Sequence, residues 1–197
     1  FLNSEMYEVY FTSCGSESNC WAIQGFVQNR LRKGRIPSVI TSVIEHKSIL
    51  SCVDGIGVDV HFIDVDTNGC IDLRALEDTL KYVISQKSGE DILVSIQYAN
   101  NEIGTIQHIH DIALTVHKYG AIFHTDAVQA FGHIPIDVKA SKIDMLSASG
   151  HKIGTPKGIG ILYKKEDVKI SPLIYGSQMN GLRGGTENLP YIMGFAK

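Results

Sequence analysis

A lysine in a turn of small residues, an aspartate closing an apolar run, a histidine opening a helix, paired asparagines and a hydroxyl-rich turn are what this sequence offers for chemistry. Lys152 ends Ser147-Ala148-Ser149-Gly150-His151-Lys152 and sits between two apolar segments. In such a site an amine can lose its proton and become free to attack a carbonyl carbon. Asp126, in His124-Thr125-Asp126-Ala127-Val128-Gln129, ends a segment that reads as a central strand, where an unpaired carboxylate is very costly. A protonated ring nitrogen would satisfy it and keep it ionised, or it simply caps the next helix. In Phe11–Ser18 a strand enters a turn of Ser13, Cys14, Gly15 and Ser16, and a helix begins at once. Unpaired N–H groups there, with the Ser16 hydroxyl, suit a phosphate; the ordinary reading is an N-cap by Ser13 or Ser16. The turn is no P-loop, because the Gly-Lys-Ser/Thr ending is missing. His46, in Ile44-Glu45-His46-Lys47-Ser48, opens a helix and either lies over a planar ligand or caps. Ala99-Asn100-Asn101-Glu102-Ile103-Gly104 is a polar turn whose amides can meet a phenolic or carbonyl oxygen.

These clusters must be held at the ends of regular elements. Apolar, β-branched runs predict strands at Val9–Thr12, Val39–Thr41, Val58–Ile63, Ile92–Gln97, Ala121–His124, Met145–Ser147 and Gly158–Tyr163. Several are apolar on both faces, as in strands covered by helices on either side. Helices are predicted over Ser16–Lys33, with Cys20, Ile23, Val27 and Leu31 as the buried stripe, over Asp72–Ile84 (Leu73, Leu76, Leu80, Val83) and over Ile109–Lys118 (Ile112, Ala113, Val116). Gly34 and Gly120 supply their stop signals. Strands alternating with helices predict an α/β fold, three layers (αβα) around a mainly parallel sheet, in one domain. Ser85–Asp91 is expected to be a polar surface loop. In such sheets ligands gather outside the carboxyl ends of the strands, where all five clusters fall.

Composition narrows the function. Hydrophobic residues make up 44% and charged residues 20%, the profile of a globular chain with a sizeable core. A formal net charge of -3 gives no electrostatic case for nucleic acid or a membrane surface, and no apolar run approaches the ~20 residues of a span. Cys14, Cys20, Cys52 and Cys70 form no C-x-x-C pair, so neither a disulfide framework nor a metal site is implied, and Cys20 and Cys52 read as packed thiols. That usage, with no visible signal segment, favours a reducing cytoplasm, although an organellar leader stays open. No Gly-x-Gly-x-x-Gly follows the early strands, which disfavours a nicotinamide-binding domain. Ser149 and Lys152 fit the Ser-x-x-Lys of serine acyltransferases, with Ser149 as a nucleophile at a helix start. That reading leaves Asp126, His46 and the asparagines without a role, and no Ser-Asp-Asn or Lys-Thr-Gly partner is present. A non-catalytic interaction module is the remaining alternative, disfavoured by intact Lys152 and Asp126. A phosphate seat, a stacking ring, an oxygen ligand, a pyridinium partner and an amine together form the set that pyridoxal 5'-phosphate (PLP) requires of a protein.

With those motifs in hand, the sequence resembles the large domain of the cysteine desulfurases, fold-type I PLP enzymes of the class V aminotransferase group. The resemblance rests on Phe11-Thr12-Ser13-x-x-Ser16-Glu17-Ser18, Glu45-His46-Lys47, Asn100-Asn101-Glu102-Ile103-Gly104, Thr125-Asp126-Ala127-Val128-Gln129, Ser149-Gly150-His151-Lys152 and Arg183-Gly184-Gly185-Thr186-Glu187-Asn188, in family order. It implies that Lys152 holds PLP and shuttles the substrate Cα proton, that Asp126 pairs with the pyridinium nitrogen and that His46 stacks on the ring. It further implies Asn101 and Gln129 near the phenolic oxygen, and Ser16, the Gly15 backbone, Ser149 and His151 around the phosphate. Thr186 would reach the phosphate of a neighbouring subunit, which implies a homodimer with shared sites. The implied reaction converts L-cysteine to L-alanine and passes sulfur, as a persulfide, to an enzyme cysteine and then to an acceptor or scaffold protein. Selenocysteine lyase, or another class V enzyme, is the close alternative. Two departures stand out: Cys14-Gly15-Ser16 replaces Gly-Ala/Gly-Thr, and Gly176-Ser177-Gln178-Met179-Asn180 replaces Gly-Gly-x-Gln-Glu. The family's persulfide cysteine, substrate-carboxylate arginine, N-terminal segment and small domain find no counterpart here. The expectation is therefore a truncated large domain over 1–197 that binds PLP without completing desulfuration.

Overall fold

Each of the apolar runs forms a strand in the computed structural model, which describes residues 2–197. They are β1 (Val9–Thr12), β2 (Ser38–Ser42), β3 (Asp59–Ile63), β4 (Ile92–Ser95), β5 (Ile122–Asp126), β6 (Met145–Ser149) and β7 (Gly160–Lys164). They make one seven-stranded sheet in the order β1-β7-β6-β5-β4-β2-β3. Pairings from β6 through β5, β4 and β2 to β3 are parallel, whereas β7 runs antiparallel to both of its neighbours. The mainly parallel sheet is thus observed, with one reversed strand near its edge.

Period-2 alternation divides the strand residues between two cores. Val39, Leu93, Met145 and Leu162 face a cluster built with α1 (Gly15–Leu31) and α2 (Lys47–Asp54). Ile40, Val94, Phe123, Leu146 and Ile161 face the other, built with α3 (Leu73–Ile84) and α4 (Ile109–Lys118). A fifth helix, α5 (Leu189–Ala196), has no fully buried residue, and no periodic pattern in the sequence marks it. No helix is long and apolar enough to cross a membrane among the described residues.

Three expectations need correction. The predicted stripe on α1 is not the buried face: Leu31 is 40% exposed and Cys20 half-buried, while Trp21, Phe26 and even Arg30 are buried with Ile23 and Val27. Helix α1 is covered on most sides, so a single-stripe pattern was the wrong template for it. Ser13 and Ser16 do not cap it either; Cys14 is the N-cap residue and makes no side-chain cap. The polar segment before β4 is only partly surface, because Gly89 and Asp91 are buried. Asp91 pairs with Arg35 at 2.8 Å, and a Cβ on Gly89 would meet Tyr119 O at 1.9 Å, so the chain must be bare there.

Candidate active site

β4, β5 and β6 end on one side of the sheet, and on that side α1 follows β1 and α2 follows β2. The polar turns after these strands surround a cavity of about 380 Å³, within the range of small-molecule sites. Gly15, Ser16, His46, Asn101, Asp126, Gln129, Ser149, His151 and Lys152 all line it. Thr186 does not; it is exposed in the turn that precedes α5.

Asp126 is the last residue of β5 and is 5% exposed. Its Oδ1 accepts from Val128 N at 2.9 Å, and its Oδ2 accepts from Asn19 Nδ2 at 2.7 Å. No helix follows β5, so the contact to Val128 closes a turn and the expected helix cap is not what Asp126 provides. Burial pushes the Asp126 carboxyl above the usual range, opposed by those two donors and by His46. Its hydrogen-bond donors are both neutral, so a cationic ring nitrogen would relieve the largest cost at this position.

The phosphate seat is built by close approach. A Cβ on Gly15 would come within 2.6 Å of Val128 Cγ2 and 3.2 Å of Ser149 Cβ, so only glycine lets α1 start this near β6. Without a side-chain cap, the first N–H groups of α1 are left for an anion in the cavity. Ser149 Oγ and His151 Nδ1 lie 2.8 Å apart beside them. Glu17 takes Ser13 N at 2.7 Å and is held in turn by Arg183, Nε to Oε1 at 2.9 Å and Nη2 to Oε2 at 3.2 Å. Burial would raise the Glu17 carboxyl, but Arg183 and Ser13 outweigh it and hold it low.

Lys152 closes a short 3-10 turn, Gly150–Lys152, after β6. It is exposed at the cavity rather than enclosed between apolar segments, as the sequence had suggested. Ser149 is buried at a strand end and bonds His151, not Lys152, and only the three-residue turn follows it. A serine nucleophile at a helix start is not what this geometry provides. His46 is the N-cap of α2, its Nδ1 accepting from Ser48 N at 3.1 Å, yet it also lines the cavity. Asn100 differs from its neighbour: its Nδ2 donates to Ile44 O and its Oδ1 accepts from Glu102 N and Ile103 N, which shapes the turn and leaves Asn101 exposed at the cavity.

Two residues escaped the sequence reading. Asn19 lies mid-helix, lines the cavity and is 1% exposed. Glu45, 5% exposed, accepts from Ser42 Oγ at 2.6 Å and Gln97 N at 3.0 Å through Oε1. Burial pushes its carboxyl up to about 8, aided by Asp126 and opposed by the Ser42 and Gln97 hydrogen bonds. Asn19 carries no motif, and Glu45 stands in Glu45-His46-Lys47 without a role of its own; each matters only because α1 and the turn after β2 close over β5 and β4.

A neutral-donor pocket for a buried carboxylate, an uncapped helix start with hydroxyls and an unencumbered amine fit a phosphorylated pyridinium aldehyde such as PLP. Comparison with known proteins agrees. The chain is 46% identical over 191 residues to "Putative cysteine desulfurase IscS 1" of Bacillus subtilis (strain 168), covering 95% of this chain and 48% of that protein. It is 45% identical over 200 residues to "Cysteine desulfurase IscS" of Methanosarcina thermophila, covering 100% of this chain and 47% of that one. Among solved structures, a "NIFS-LIKE PROTEIN" superposes with a TM-score of 0.89 at 38% identity, over 99% of this chain and 53% of that chain. The structure of "SspA in complex with cysteine" gives 0.88 at 39% identity, over 98% and 55%. The chain thus spans about half the length of the relatives it matches. Because the aminotransferase class-V model matches residues 1–196, this chain belongs to that family of PLP-dependent enzymes.

Proposed function

We propose that the chain is the cofactor-binding large domain of a PLP-dependent cysteine desulfurase, which takes L-cysteine to L-alanine and hands the sulfur to a cysteine thiolate. One observation carries this reading: Lys152, buried Asp126, His46 and the uncapped start of α1 line a single cavity. The names of the Bacillus and Methanosarcina relatives, and the cysteine complex of the structural neighbour SspA, support the substrate.

When bound, PLP supplies an electron sink for negative charge developing at the substrate α carbon. Asp126 would keep that sink strong by setting its carboxylate against the ring nitrogen. Lys152 Nζ would hold the cofactor, and the same amine would carry the proton of the substrate α carbon. His46 covers the ring face. Asn101 and Gln129 take the phenolic oxygen, while Ser16, the Gly15 backbone, Ser149 and His151 take the phosphate. Thr186, away from its own cavity, serves a second subunit's phosphate in a homodimer with shared sites. The sulfur then passes to an acceptor or scaffold protein in a reducing cytoplasm.

Titration with PLP, followed by L-cysteine, tests the reading. The expected result is an absorbance band near the visible edge that L-cysteine displaces and L-serine displaces far less. A PLP-loaded protein whose band responds equally to both amino acids would contradict the substrate assignment, and no band at all would contradict the cofactor site.

A further inference from the structure

Asp126, proposed to meet the ring nitrogen, and His46, proposed to cover the ring face, are joined by the side chains of Asn19 and Ser48. Asn19 Nδ2 donates to Asp126 Oδ2 at 2.7 Å and to Ser48 Oγ at 3.0 Å. The amide cannot sit the other way round, because its oxygen would then face a carboxylate, acceptor against acceptor. Both Nδ2 hydrogens are thereby committed. Ser48 Oγ accepts one of them, so its own hydrogen is left for His46 Nδ1 at 2.8 Å. Ser48 N points at the same nitrogen at 3.1 Å. A ring nitrogen that receives two donors must offer its lone pair, and the proton of a neutral imidazole then belongs on the other nitrogen. Asn19 is 1% exposed and its bond to Asp126 is buried, so water does not compete at that end of the chain, whereas the two Ser48–His46 bonds lie at the exposed rim of the cavity.

We infer that Asn19 and Ser48 are positioning residues that fix His46 as its Nε2–H tautomer, which presents the ring's one proton to the cavity and locks its orientation to Asp126. The direction of every bond follows from the carboxylate: it demands a donor from Asn19, Asn19 then donates to Ser48, and Ser48 donates to His46. Helices α1 and α2 are thus registered to β5 by one hydrogen-bonded chain. Only the use of that proton, on a ligand acceptor over the ring, rests on the proposed function; the tautomer itself does not.

Ring nitrogen-15 shifts distinguish the two neutral tautomers directly. The protein is labelled with 15N-histidine, and His46 is assigned among the 8 histidines by loss of its signals in His46→Gln. At alkaline pH and without PLP, wild type is expected to show Nε2–H as the dominant form. Ser48→Ala removes the stronger donor and Asn19→Ala frees the Ser48 hydroxyl to turn, so both should raise the Nδ1–H population, and Ser48→Thr should restore the wild-type ratio. In the full-length enzyme that we propose carries this domain, loaded with PLP, Ser48→Ala should lower kcat on the order of 10-fold, as when the partner that orients a functional imidazole is lost, with KM little changed. An Nδ1–H or evenly mixed ring in wild type would overturn the inference without reference to any variant. So would a tautomer ratio that ignores both alanine substitutions. Because these spectra are taken without cofactor, failure here and failure of the PLP reading are separate results.

Discussion

Asp126, at the end of β5, and Glu45, just after β2, are two buried carboxyls, and Asp126 raises the cost of charge on Glu45. Only one has a proposed cationic ligand. Asp126→Asn keeps the shape but only one of the two acceptor oxygens, so Asn19 must turn its amide over to accept; with the costly buried charge gone as well, the fold without PLP should change little in stability. In the full-length enzyme that we propose carries this domain, activity should fall by about 10²–10³-fold, the scale on which a single preorganised electrostatic partner counts. Thermal melts of this chain and turnover of that enzyme check the two halves. Glu45 makes a prediction of opposite sense to an ordinary carboxylate. Its folded pKa of about 8 lies above its usual 4.5, so its contribution is complete below 4.5 and is lost as pH rises through about 8. Glu45→Gln should flatten the fall in melting temperature over that window; an unchanged profile would show that Glu45 is not responsible. These residues also mark what sequence could and could not show. Asp126 announced itself by closing an apolar strand and Lys152 by its turn of small residues, although Lys152 proves exposed. Asn19 and Glu45 sit among ordinary helix and turn residues, and their partners are 107 and 52 positions away in the chain.

At the level of elements, the sheet is fastened across its centre by a histidine. His124 on β5 meets Ser95 Oγ of β4 through Nδ1 at 2.8 Å and Ser147 Oγ of β6 through Nε2 at 2.9 Å. Burial drives its pKa down from 6.5 to about 3, so it folds neutral. The unfolded chain takes up that proton first, and stability should therefore be lost as pH falls from 6.5 toward 3. The loss attributable to His124 is roughly 4–5 kcal/mol at full extent, and denaturant unfolding of His124→Gln against wild type at several pH values measures it. The second fastening is the Arg183–Glu17 fork, which ties the turn before α5 to the start of α1. Arg183→Ala should destabilise the fold by about 3 kcal/mol, as expected when one member of a mostly buried pair is removed, and Arg183→Lys should recover only part of it because the fork is lost. Strand positions were readable as apolar runs because both faces of the sheet are covered. Helix α1 was misread for the related reason that more than one of its faces is covered.

For the molecule as a whole, the fold places reactive groups from five separate turns around one cavity, and that convergence is what the alternation of strands and helices foretold. What the order of elements could not foretell was the sheet order, with β7 reversed and β1 beyond it at the edge. That arrangement depends on which faces pack, not on local pattern. If the cavity is the PLP site, the cofactor must stabilise the whole fold. At a hundredfold excess over Kd the gain is about 2.7 kcal/mol, which raises Tm by roughly 5–10 °C for a chain of this size. The increment should shrink in Lys152→Ala and in Asp126→Asn. The most direct measurement of all is to add PLP, reduce with borohydride, digest and locate the added mass. A single modified residue, Lys152, is expected, with no fixation in Lys152→Ala. Cofactor fixed at any other lysine, or tight binding that borohydride never fixes, would contradict it.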